Sequence, residues 1–278
     1  MGQGTVKPLA IDLFCGLGGW AEGLLAEGYS VVGFDIERHD YGTGGYPSQL
    51  VLQDVLTLDG AQFKDAALIV ASPPCTEFSY LAMPWSRGKQ IGRALRGQDE
   101  FPEGYAGSRT PAEMKALFYA CFRIQIEASH AASRYIPLII ENVRGAQPWV
   151  GRSRWHYGSF HLWGDVPALM PITSTRVHKQ GIAHRPNGET NFHGIKAGDR
   201  NKKWFNIAHN TTSGVGNNLD GRKVPIEGTK QGGDWFNAEQ PSMSRLYGSK
   251  SPQRKAASAM IARIPFALSR HIARVYKP

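Results

Sequence analysis

A cysteine at position 75 stands behind two prolines, in Ser72-Pro73-Pro74-Cys75, at the end of the apolar run Ala66–Ala71. Its plain reading is a small buried residue, as for most free cysteines. The prolines fix the local backbone, however, and a basic stretch follows. A thiol so placed can have its pKa lowered and act as a nucleophile. A second apolar run ends in Glu141-Asn142-Val143. A carboxylate after three apolar strand residues is costly to bury, so it needs a ligand, a hydrogen-bond partner or a structural pairing with a base. Near the start, Asp12-Leu13-Phe14-Cys15-Gly16-Leu17-Gly18 with Gly19 breaks an apolar strand into a glycine loop, where backbone can approach a ligand closely. Asp35 and Asp54 follow the next two strands. A carboxylate in the first place can bind both hydroxyls of a ribose, and one in the second can accept from an adenine amino group. A lone glycine turn or a lone acid fits many surfaces equally well. Together they suggest a pocket for an adenosine-bearing cofactor with a sulfur nucleophile beside it. Cys15 and Cys121 lack the proline brace, and Cys121 falls on a helix's apolar side.

The elements that must position these groups alternate. Strands are expected at Pro8–Phe14, Ser30–Phe34, Val51–Val55, Ala66–Ala71 and Pro137–Ile140, with a short helix at Trp20–Glu27. A long helix is expected from about Pro111 to Arg134, opened by a Thr110 cap, Pro111 and Glu113. Its apolar stripe is Met114, Leu117, Phe118, Cys121, Ile124 and Ala128. Such alternation implies a parallel sheet with helices on both faces and ligands at the carboxyl ends of the strands. Between Met83 and Gly107, Trp85, Arg87, Lys89, Arg93 and Arg96 stand among glycines, which reads as a long loop after Cys75. Ile172 to about Arg245 has little periodicity but holds Trp204, Phe205, Trp235 and Phe236, which reads as a small loop-rich domain. Helical spacing returns over Ser251–Val275.

The chain has 278 residues, enough for one sizeable core and a smaller appendage. No apolar run is long enough to span a bilayer, and the start lacks a charged-then-apolar signal. Three cysteines without paired spacing point to reduced thiols in a cytosolic setting rather than a disulfide framework or a zinc site. Charge is uneven. Residues 1–171 carry 14 Lys+Arg against 17 Asp+Glu, whereas residues 172–255 carry 14 against 6. A basic segment of that kind neutralises phosphates and releases their counterions, so nucleic acid is its natural partner; a solvated soluble surface is the alternative.

These motifs resemble the cytosine-C5 methyltransferase family of bacterial or phage type. Asp12–Gly19 matches its Asp-Leu-Phe-x-Gly-x-Gly-Gly, Pro74-Cys75-Thr76-Glu77-Phe78-Ser79 its Pro-Cys-x-x-Phe-Ser, and Glu141–Val143 its Glu-Asn-Val. The resemblance implies a Rossmann-like α/β sheet over residues 1–171, a target-recognition domain over 172–245, and a C-terminal helix, 246–278, returning to the catalytic domain. It implies a DNA (cytosine-5)-methyltransferase using S-adenosylmethionine, a monomer acting on double-stranded DNA in the bacterial cytoplasm, with no membrane or metal. By the same resemblance Cys75 adds to cytosine C6, Glu141 meets the N3 edge, and Asn142 and Arg154 assist. Phe14, Gly16, Gly18, Gly19, Asp35, Ile36, Asp54, Val55 and Pro74 would line the cofactor pocket. Pro74, Ser79, Arg152 and Arg154 would meet the substrate. The chain departs from the family at Asp35, where glutamate is usual, at Val150, where the glutamine before Arg152-Ser153-Arg154 should stand, and at Ile261-Ala262, where Gly-Asn is usual.

Three other readings stay open. Ser72-Pro73-Pro74 also resembles the amino-methyltransferase signature, although Cys75 and Glu141-Asn142-Val143 disfavour it. A transfer-RNA branch of the family shares the motifs, which the large basic insert opposes. A DNA-binding module without activity would be expected to lose the nucleophile or the acid first.

Overall fold

The computed structural model describes residues 6–41, 44–75, 78–79, 85–102, 111–157, 159–170, 183–184, 190–191, 216–217, 223–224, 252, 255–256, 259 and 262–278. Thr110, Thr76, Glu77, Ile261 and nearly all of Ile172–Arg245, its tryptophans included, lie outside these. The chain divides into two compact units: Met1–His156 with Phe160–Pro171 and Arg263–Pro278, and Tyr157–Ser159 with Ile172–Ala262.

In the first unit the apolar runs become β1 (Leu9–Leu13), β2 (Ser30–Asp35), β3 (Gln49–Leu52), β4 (Ala66–Ala71) and β5 (Leu138–Asn142). Two further strands, β6 (Trp155–Tyr157) and β7 (Phe160–Gly164), complete a seven-stranded sheet in the order β3-β2-β1-β4-β5-β7-β6. β1 to β5 run parallel, and β7 lies antiparallel to β5. The fold is a Rossmann-like α/β sheet. The chain leaves β1 toward β2 and β3, then returns to β4 on β1's other side, so the sheet order reverses between β1 and β4. In open α/β sheets the ligand crevice lies at that reversal, beyond the carboxyl ends.

Register brings the strand ends level. Leu13 faces Phe34 and Ala71, Ala71 faces Ile140, and Ile140 faces Trp163. All five are in the core cluster beneath α3 (Pro111–Ala132), whose Phe118, Cys121, Ile124 and Ala128 are fully buried. Burying one such large side chain is worth about 1.5–3 kcal/mol. One residue further along each strand comes Phe14, Asp35, Ser72 and Glu141. By strand alternation Asp35 and Glu141 turn to the opposite face.

That face holds α1 (Gly19–Ala26) against the C-terminal helix, α5 (Phe266–Val275). A Cβ on Gly23 would run into Ser269 and the backbone of Arg270, so only glycine allows this approach. Arg263 pairs with Glu22, and Arg270 and Arg274 with Glu27 at 2.6 and 2.8 Å. The Tyr29 hydroxyl donates to the Ala273 carbonyl at 3.0 Å. The C-terminal helix is thereby part of the unit that carries the glycine loop.

The expected loop after Cys75 is in part a helix, α2 (Trp85–Ala94). Arg, Lys and Gln are good helix formers, and Ile91 and Ala94, three residues apart, bury at 4% and 7% exposure. Two apolar anchors are too few for a periodicity reading to detect. The short α4 (Gln147–Val150) follows β5. In the second unit the described residues form two antiparallel pairs: β8 (Ala183–His184) with β9 (Thr190–Asn191), and β10 (Gly216–Asn217) with β11 (Lys223–Val224).

Candidate functional site

The glycine loop begins under strain. Phe14 has φ +57°, an uncommon conformation for a non-glycine residue, costing roughly 1–2 kcal/mol. Gly18, at φ +79° with Pro47 packed against its α-carbon, caps α1 without a side chain. Asp12, unsuspected as a site residue from sequence, is fully buried below the loop and takes a hydrogen bond from the Tyr46 hydroxyl at 3.1 Å. Burial raises its pKa well above the ordinary carboxylate range, and the Tyr46 hydroxyl and the Ala21 amide temper that rise. Cys15, buried beside Asp12 and Asp35, is pushed far up by burial first and by those carboxylates second, so it is held as a thiol. Cys121 is likewise pushed up by burial in the core.

Asp35 closes the other side of the loop. Its Oδ2 accepts from the Gly16 amide at 2.9 Å and its Oδ1 from the Glu37 amide at 3.3 Å. His39 Nε2 stands 3.5 Å from Oδ1. Burial works to raise the Asp35 pKa, but His39 and the two amides outweigh it and the net shift is downward. Asp35 is therefore ionised at neutral pH. Beside it Ile36 is 67% exposed, an apolar side chain open to solvent at the strand end. Asp54 is exposed, and its Oδ1 accepts from the Leu56 amide at 2.9 Å, capping the turn at Val55–Thr57 with Val55 buried beneath. Asp54 thus has a structural task and keeps one oxygen uncommitted to the cap.

The thiol side is assembled by long-range ties. Trp20 Nε1, in α1, donates to Ser72 Oγ at 2.9 Å. Asn142 Nδ2 donates to the Pro73 carbonyl at 3.0 Å, while its Oδ1 accepts from the Val143 amide at 2.8 Å. These two bonds fasten the Pro-Pro segment to α1 on one flank and β5 on the other. Cys75 is half-buried, and its carbonyl accepts from the Phe78 and Ser79 amides, both at 3.0 Å, which turns the chain directly after the thiol. Pro74 is exposed, and Glu141 is buried at 3% exposure in the strand next to β4.

Arg152 and Arg154 are both exposed. The Arg154 amide donates at 2.8 Å to the carbonyl of Leu162, the register partner of Glu141, so β5 and β7 lie between its backbone and β4. Its charge is felt at Tyr135, before β5, where it works against the upward shift that burial gives that phenol. Gln147 was missed in sequence, yet it organises this turn: its Oε1 accepts from the Ser153 amide at 3.2 Å and Oγ at 3.3 Å. Ser153 Oγ also meets His161 Nδ1 at 2.9 Å, and His161 stacks on His156 with ring centroids 5.1 Å apart. A glutamine three residues before the expected position was the available signal. Among the described residues no three His, Cys, Asp or Glu side chains group as a metal site, and no helix is long and apolar enough to cross a membrane.

The residues at the reversal point fit a nucleoside cofactor. Asp35 is ionised with acceptor capacity left over, and a Cβ at Gly16 would meet nothing within 4 Å, so open space adjoins the loop. Sheet order, glycine loop and strand-end acid together define a Rossmann-like architecture. Residues 9–91 match the family model described as C-5 cytosine-specific DNA methylase, the family that the motifs resemble. No curated protein matches the chain.

Solved structures resemble it more distantly. A protein described as a prophage-encoded DNA modification methyltransferase of E. coli is 23% identical, with TM-score 0.32 over 50% of this chain and 33% of its own. A Spodoptera frugiperda DNMT2 mutant is 15% identical, with TM-score 0.30 over 51% and 37%. S. pombe Dnmt2 methyltransferase is 12% identical, with TM-score 0.41 over 97% and 98%. The alignments with the first two thus take in only about a third of those proteins' lengths.

Proposed function

We propose that the chain is a DNA (cytosine-5)-methyltransferase that forms a covalent bond from Cys75 to a flipped-out cytosine. The observation that carries this reading is the Asn142–Pro73 hydrogen bond, which fastens the segment bearing the thiol to the strand bearing Glu141. Cytosine C5 is a weak nucleophile until a group adds at C6. Cys75 thiolate adds there, and Glu141 holds a proton against N3, which relieves the charge developing on the ring. Asn142 keeps its amide on Pro73 and serves to position the thiol. Asp35, the glycine loop, Ile36 and Val55 hold S-adenosylmethionine, which when bound supplies an electrophilic methyl group. Loss of the C5 proton then releases the thiolate. C6 is inaccessible within a duplex, so the base must swing out, and we assign the sequence after Cys75 as the candidate to close over it.

Double-stranded DNA is the favoured substrate because residues 172–255 carry 14 Lys+Arg against 6 Asp+Glu. We assign target recognition to residues 172–245, within the second unit, and catalysis to the first unit, which carries the C-terminal helix. Duplexes bearing 5-fluorocytosine, which has no C5 proton to lose, provide the test. The expected result is one methyl transfer and an adduct that survives denaturing electrophoresis, absent in Cys75→Ser although S-adenosylhomocysteine still binds. An exocyclic-amine product, or an adduct formed equally well by Cys75→Ser, would overturn the reading. Adduct formation on RNA but not on DNA would move the substrate to RNA.

A further inference from the structure

We propose that His39 sets the affinity of the nucleoside pocket by competing with the ribose diol for Asp35; this rests on Asp35 being the ribose acid. A carboxylate offers about four lone-pair directions. The Gly16 amide takes one at Oδ2 and the Glu37 amide one at Oδ1, at 2.9 and 3.3 Å. Two remain, the number a vicinal diol needs. His39 Nε2, 3.5 Å from Oδ1, stands against one of them.

The ring is held from its other side by Tyr41, whose hydroxyl lies 3.2 Å from Nδ1. With the neutral ring protonated at Nε2, Tyr41 donates to Nδ1 and the contact to Asp35 is a long, weak hydrogen bond. Adding a proton turns Tyr41 into an acceptor and makes the Asp35 contact an ion pair. His39 and Asp35 side chains are 18% and 12% exposed, so that pair is only partly screened by water. Among the charged groups of the described residues, Asp35 terminates β2, Glu37, Arg38 and Asp40 adjoin His39 in sequence, and Cys15 is held neutral as a thiol. A diol that displaces a neutral ring breaks one weak bond, whereas displacing the protonated ring separates charges. Nucleoside binding therefore expels a proton from His39, and affinity falls as pH falls.

Titration calorimetry of the full chain with S-adenosylhomocysteine at pH 6 and pH 8 tests this. Exclusion of the protonated ring should weaken binding severalfold at pH 6 relative to pH 8, the range that brackets ordinary imidazole titration. His39→Gln, or His39→Asn if the first lacks a cooperative melt, should lose that difference. Asp35→Asn should bind roughly tenfold or more weakly at both pH values. Persistence of the full pH difference in the His39 variants overturns the proposal. So does a wild-type protein with no pH difference while Asp35→Asn is weak. Wild-type affinity in Asp35→Asn instead removes Asp35 from the pocket, which is a failure of the underlying reading.

Discussion

The two halves of the candidate site are built by opposite means. On the nucleoside side, Asp35 is held by amides 2 and 19 residues away, Glu37 and Gly16, within the first two strands and the turns that follow them. On the thiol side, Ser72 and Pro73 are held by side chains 52 and 69 residues away, Trp20 and Asn142, and neither bond exists until β1, β4 and β5 are together. The first half is set by backbone amides close in sequence to the acid they hold. The second depends on two specific side chains reaching across the sheet. Cofactor binding and catalysis should therefore fail separately when the ties on each side are cut.

The largest effect is expected from Asn142→Ala. It removes the donor to the Pro73 carbonyl in a fully buried place and leaves that carbonyl without its side-chain partner. Displacing a reacting group by about 1 Å can cost roughly 100-fold in rate. Turnover should fall by about that factor while S-adenosylhomocysteine affinity stays near wild type. Equal losses in both measurements would mean the halves are not separable. Asp35→Ala should do the reverse. Each lost charge-assisted hydrogen bond to the ribose is worth about 1.5–3 kcal/mol, so cofactor affinity drops, yet turnover at saturating cofactor is largely retained. A fall in turnover at saturation as deep as that of Asn142→Ala would break the contrast.

The same division explains what the sequence revealed. β2 and β5 are apolar runs that end in polar residues, so both the strands and the acids Asp35 and Glu141 could be read from pattern. The bonds that aim the thiol were invisible because nothing in a linear sequence couples Trp20 to Ser72 or Asn142 to Pro73. β7 went unread although Phe160, Leu162 and Trp163 are buried, since five residues carry too little periodicity. α2 was hidden because only Ile91 and Ala94 are buried among its described side chains. Asp12 read as part of a motif, and only the folded chain shows Tyr46 covering it.

Asp12 also offers the smallest and most selective test of the nucleoside half. Its folded-state pKa is raised by burial above the unfolded value, so the folded protein keeps a proton that the unfolded chain has released once pH exceeds about 4. When the native state binds more protons than the unfolded one, stability declines as pH rises, by at most about 1.4 kcal/mol per pH unit for one group, until the folded pKa is passed. The hydrogen bonds from Tyr46 and Ala21 to the ionised form moderate that slope. Asp12→Asn has nearly the same shape and no proton to lose. Its melting temperature relative to wild type should therefore improve between pH 5 and pH 8, by about 2–4 °C for each 1 kcal/mol recovered. Asp35, with its pKa lowered, has the opposite sign: its contribution is present above the unfolded value and is lost as pH falls through the folded one. Asp35→Asn should thus narrow its stability deficit on acidification, and Asp12→Asn should widen its advantage on going alkaline. Parallel wild-type and Asp12→Asn melting curves across this range would mean that Asp12 is ionised in the folded protein, and that the glycine loop rests on a charge rather than on a neutral acid.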